Sequence, residues 1–117
     1  MKIRIKGNTV RYRLVKSEVK QLAERGYVEE MTAFPTTTFR YRVESKEEIS
    51  ALEADFHYAQ VTMFIPISEA QIWVHSDRIT YKNSFGDLTL ILEKDFVCLD
   101  HTDEDQSDNY ANPNQRC

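Results

Sequence analysis

The 117-residue chain has two cysteines and three histidines, and one of each falls in the stretch CLDHTDEDQSD. Cys98 and His101 have the Cys-x2-His spacing, which lets two ligands on a tight turn reach one tetrahedral ion. A distant cysteine and a carboxylate can close such a shell. Cys98, His101 and Cys117, with Asp105 or Asp108, therefore form a candidate site for zinc or another divalent metal. Plainer readings stand beside it. A free cysteine at the end of an apolar strand packs as a small hydrophobe, Cys98 and Cys117 can pair with each other, and an acidic segment can simply be solvated. Calcium fits poorly, because Asp103-x-Asp105-x-x-Asp108 lacks the central glycine and the twelfth-position glutamate of that loop.

A second set of residues can act on anions. Lys2, Arg4 and Lys6 alternate along one segment, Arg11 and Arg13 along the next, and Arg40 and Arg42 along a third. Cations at alternate strand positions stack into a ladder that neutralises phosphates, so nucleic acid or another polyanion is the expected ligand. The competing expectation is a paired face, since Glu53, Asp55 and His57 repeat the opening pattern with the charge inverted. Surface pairs of that kind contribute ~0–1 kcal/mol each. Enzyme motifs are scarce. Only three glycines are present, none in a phosphate-cradling loop or nucleophile elbow, and His-Glu-x-x-His does not occur. A small non-catalytic binding or interaction module, monomeric or homodimeric, is the reading these residues favour.

Length and composition set the frame. At 41% hydrophobic the chain can bury a single core without metal or disulfide support. No apolar run approaches the ~20 residues that cross a bilayer, and the opening MKIRIKGN lacks the apolar stretch of a signal peptide. A cytoplasmic setting with reduced cysteines and no membrane partner is the expectation. The net charge of −4 is unevenly spread. Residues 1–25 carry eight basic and two acidic side chains, and the acidic excess lies beyond them.

The elements that must position these side chains recur. VRYRLVKSEVKQLAERGYV and VTMFIPISEAQIWVHSDRI align at an offset of 51, with apolar positions matched: Val10 with Val61, Leu14 with Ile65, Leu22 with Trp73, Val28 with Ile79. Period-2 alternation predicts strands at residues 2–6 and 10–14 around the Gly7-Asn8 turn, and hairpins at 27–44 and 78–96. Ser17 is the expected cap of a first helix and Gly26 its stop; Ser68 with Gln71 predicts a capping box on a second. The architecture that follows is α+β. Two β-β-α-β-β units, residues 1–44 and 52–99, share a pseudo-twofold axis and form an antiparallel or mixed sheet with barrel-like closure and two short helices. Residues 1–99 make one domain and residues 100–117 an acidic tail.

Two resemblances bear on this. VTMFIPISEAQIWVHSDRITY resembles the β-α-β element of AbrB-type transition-state regulators and of double-psi barrels, which implies a barrel fold and, through the regulators, nucleic-acid binding by the basic hairpin. MKIRIKGN, VKSEV, GYVEE and LEADF, then EKDFVCLD, EDQSDNY and NPN, resemble a family of small, uncharacterised bacterial proteins, which implies no activity. Arg11-x-Arg13 and Arg40-x-Arg42-x-Glu44 are also loosely similar to triphosphate-tunnel phosphohydrolases. There the Glu-x-Glu-x-Lys opening is replaced here by Lys2-x-Arg4-x-Lys6, which removes the expected metal ligands.

Overall fold

The computed structural model describes residues 1–96. They form β1 (Lys2–Lys6), β2 (Thr9–Leu14), α1 (Lys16–Arg25), β3 (Tyr27–Ala33) and β4 (Thr38–Lys46), followed by β5 (Glu53–His57), β6 (Gln60–Pro66), α2 (Ile67–Trp73), β7 (Thr80–Phe85) and β8 (Leu88–Lys94). The order β-β-α-β-β thus occurs twice, as the sequence pattern predicts. The fold is α+β.

Barrel-like closure does not occur. The strands form two four-stranded mixed sheets, ordered β1-β2-β8-β7 and β3-β4-β6-β5. Each half of the chain contributes one hairpin to each sheet, and the hairpins join through parallel pairs, β2 with β8 and β4 with β6. The four outer strands would have to pair to close a barrel. Side-chain bonds cross between the sheets instead: the Tyr41 hydroxyl, on interior strand β4, donates to the Met1 carbonyl at 3.3 Å, and Asn83 Nδ2, on outer strand β7, donates to the Leu52 carbonyl at 2.8 Å. These bonds engage backbone acceptors beside the sheet edges without a ladder.

The register shows where the 51-residue offset holds and where it fails. It relates β1 to β5, β2 to β6, and the buried helix positions Val19 and Leu22 to Ala70 and Trp73. Past the helices it shifts. Val28 pairs with Val43, and the matching pair in the second half is Tyr81 with Leu92. Val28 and Tyr81 are both buried, whereas Ile79, the expected partner of Val28, is 50% exposed. One residue separates α1 from β3 but six separate α2 from β7, while the hairpin connection shortens from residues 34–37 to residues 86–87.

The helix starts also differ from expectation. Helix α1 begins one residue before Ser17, with Val15 as its N-cap; the Glu18 carboxylate accepts from the Val15 N–H at 2.9 Å and pairs with the Met1 ammonium. The acid thus holds the N–H of the cap residue itself rather than an N–H inside the first turn, as a serine cap would, and its charge suits the positive end of the helix. In α2 the N-cap is Pro66, so Ser68 lies inside the helix and the capping box does not form. Gly26 ends α1 as expected, at φ 86° with its N–H on the Leu22 carbonyl.

Both helices sit at one end of the sheets and all four hairpin connections at the other, as the parallel registers require. Tyr12 ties the layers together: fully buried, it donates its hydroxyl to the Val61 carbonyl at 3.0 Å and meets Tyr41 edge-on at 6.2 Å. Burial raises the Tyr12 pKa, and burial with the Glu69 hydrogen bond pushes Tyr81 up to about 12. The folded state thus holds phenolic protons that the unfolded chain releases near pH ~10. This contribution is complete below pH ~10 and is lost as the pH climbs through the folded values. Denaturant midpoints measured at pH 8, 10 and 11.5 will fall with alkalinity, and less steeply in Tyr12→Phe.

The β5–β6 turn stores strain. Tyr58 and Ala59 both hold positive φ, 49° and 60°, a type I′ geometry that favours Asn-Gly. Left-handed backbone at such residues costs roughly 1–2 kcal/mol each. Part of this is offset where the Tyr58 ring meets His57 at 4.1 Å. Replacing Tyr58-Ala59 by Asn-Gly is expected to stabilise the fold by about 1 kcal/mol. The test is a raised urea midpoint at unchanged slope.

Candidate polyanion interface

Alternation along β2 sends Val10, Tyr12 and Leu14 into the core and Thr9, Arg11 and Arg13 outward. Antiparallel pairing with β1 sets Lys2 opposite Arg13 and Arg4 opposite Arg11, with Lys6 beside Thr9. On the other side of β2, parallel β8 brings Ile91 beside Arg11 and Glu93 beside Arg13, and β7 adds Lys82 beside Ile91. Lys2, Arg4, Lys6, Arg11, Arg13 and Lys82 therefore share one outward face. Among the described residues of these four strands, Glu93 is the carboxylate that faces them.

Glu93 is largely enclosed by its partners. It accepts from Arg13 Nε at 2.7 Å, lies 3.5 Å from the Arg11 guanidinium, and takes a long bond from the Thr80 hydroxyl. At the end of the sheet Lys2 Nζ meets the Asp95 carboxylate at 3.1 Å. Ile91 is buried although it lies on this outward face. Its register neighbours are long cationic side chains, whose aliphatic stems cover apolar surface while their heads reach water.

Like charges directly opposite each other on paired strands lower sheet stability. This face has two such pairs, Lys2 with Arg13 and Arg4 with Arg11. Among the described residues Glu93 and Asp95 are the acids that meet this face, two carboxylates to six cations.

Arg40 and Arg42, expected in the same ladder, are not there. They stand on the outward face of the other sheet, where the Arg42 guanidinium pairs with Glu44 at 2.6 Å, lies 3.8 Å from Glu29, and covers the Tyr27 ring at 4.0 Å. That face is mixed in sign and largely self-paired. Glu53, Asp55 and His57 also lie there, on β5, so the expected pairing of β5 acids with β1 cations does not form; Glu53 pairs with Lys46 at 3.6 Å instead. The tunnel arrangement is likewise not built, because no barrel encloses the arginines. Lys82 was missed from sequence: nothing local marks it, and only the β2–β8–β7 pairing brings it to the basic face.

The metal candidate of Cys98, His101, Asp105, Asp108 and Cys117 lies outside the described residues. Among the described residues no group of three or more His, Cys, Asp or Glu side chains is placed to hold a metal ion. No helix among them is long and apolar enough to cross a membrane. A family model described as a family of unknown function, DUF7009, matches residues 1–114. No curated protein matches, and no solved structure does, so the AbrB-type likeness of residues 61–81 has no counterpart in these comparisons.

Proposed function

This chain belongs to DUF7009, a family of unknown function, and from the charge gathered on its first sheet we propose that it is a non-catalytic binding module. Its ligand is a phosphate polyanion, nucleic acid before others, held on the outward face of the β1-β2-β8-β7 sheet. The observation that carries this reading is the gathering of six cations around Glu93 on one face, two pairs of them directly opposed at a cost to the sheet. Side chains two residues apart on a strand stand ~7 Å apart, a spacing that successive phosphates of an extended strand can follow. What the described face offers is charge and spacing, which act on the backbone of a nucleic acid, so affinity that depends little on sequence is expected.

The test is fluorescence anisotropy with a labelled single-stranded oligonucleotide. With about five phosphates neutralised, affinity should fall roughly 100-fold between 50 and 200 mM salt. Absence of binding at 50 mM salt overturns the proposal.

Internal duplication belongs to the same reading. Its support is the repeated element order, the two parallel pairings, and the equivalence of Leu22 and Trp73, both buried. On that view the two outward faces began alike. One has since gathered cations, and the other has become mixed.

A further inference from the structure

We propose that the outward face of the β1-β2-β8-β7 sheet is also the docking site of the chain's own acidic stretch, residues 100–108, which competes there with an external polyanion. The docking half stands on geometry and charge alone; the competition half rests on the function proposed above.

The path of the chain supplies the first argument. Strand β8 is interior to the sheet, between β2 and β7. At its end the Asp95 N–H bonds to the Leu14 carbonyl at 2.8 Å, while the Asp95 carboxylate reaches Lys2 on edge strand β1 at 3.1 Å. The first acid after the strand is thus already engaged with a cation of the basic face. Asp100 follows five residues later, a span of at most ~17 Å. Four strands measure about 15 Å across at ~4.8 Å spacing. Every cation of the face is within reach of residues 100–108 without any rearrangement of the sheets.

Charge complementarity supplies the second. Asp100, Asp103, Glu104, Asp105 and Asp108 are five carboxylates with no basic side chain among them. The face sets six cations against two described acids, Glu93 and Asp95, whereas the outward face of the other sheet nearly balances its charges, with Arg42 on Glu29 and Glu44 and Lys46 on Glu53. A tethered polyanion has an effective concentration in the millimolar range. It therefore lowers the apparent affinity of a free competitor by the fraction of face it occupies.

The experiment uses the full chain. Zero-length carbodiimide coupling joins carboxylates to amines in contact, and an equal mixture of isotopically light and heavy protein separates links within one chain from links between chains. Links from residues 100–108 should fall on Lys2, Lys6 and Lys82 in preference to Lys20 and Lys46, and should disappear at about 0.5 M salt, where screening is short-ranged. No links, equal links to Lys20 and Lys46, or links only between chains overturn the docking.

A second variant, with all five carboxylates changed to amides (D100N, D103N, E104Q, D105N and D108N), should bind the oligonucleotide about tenfold more tightly than the parent. Unchanged affinity overturns the competition. If neither protein binds the oligonucleotide while the links are found, the proposed function fails and the docking stands.

Discussion

Replacing Trp73 by alanine will lower the thermal midpoint by about 15 °C. Trp73 is the largest of the fully buried side chains, its indole N–H donates to the Arg78 carbonyl at 2.8 Å, and Tyr81 meets it edge-on at 5.3 Å. Truncation removes the ring, leaves a cavity and strands a carbonyl, which together cost about 4 kcal/mol. A domain of this size loses roughly 4 °C per kcal/mol. Trp73→Phe keeps most of the volume and loses the hydrogen bond, so its midpoint should fall by less than half as much. Leu22→Ala removes the corresponding contact of α1, where the side chain is equally buried but smaller. It should fall between the two. Calorimetry of the three variants gives the ranking, and a Trp73→Ala protein melting within a few degrees of the parent contradicts the core described here.

Reversing Arg4 and Lys6 together to glutamate should weaken oligonucleotide binding on the order of 100-fold at 50 mM salt, because two phosphate contacts become two repulsions. The fold should barely notice. Both side chains are exposed on edge strand β1, and a glutamate at position 4 faces Arg11 across the β1–β2 ladder, turning a like-charge pair into an attractive one. The double variant R4E/K6E is thus expected to melt within about 3 °C of the parent while losing its ligand. A matched reversal of Arg40 alone, on the other sheet, should change binding by less than twofold. Equal losses from both would move the interface away from the face assigned here.

Much of the fold was legible because it is written in periods. Ile3 and Ile5, then Val10, Tyr12 and Leu14, show the two-residue repeat of a half-buried hairpin. Val19 with Leu22, and Ala70 with Trp73, show the helical one, and Gly26 marks a helix end that only a left-handed residue closes easily. What stayed hidden depends on contacts between distant segments. No local pattern says that β2 will lie parallel to β8 rather than beside β6, yet that choice decides between a barrel and two sheets. The same choice separates Arg40 and Arg42 from the basic face and brings Lys82 to it. The caps were misread for a different reason. Ser17 and Ser68 have the right chemistry two residues too late, and Val15, held by Glu18, and Pro66 already define the starts. Ile79 was matched to Val28 because a constant offset cannot register a longer connection after α2 offset by a shorter hairpin loop.

The exchange of hairpins between the sheets has one more consequence. Each half of the chain owns no sheet of its own; alone it would be two ribbons splayed on either side of a short helix, with most of its apolar surface in water. Neither half can therefore unfold while the other persists, and the melting transition is cooperative across the whole described region.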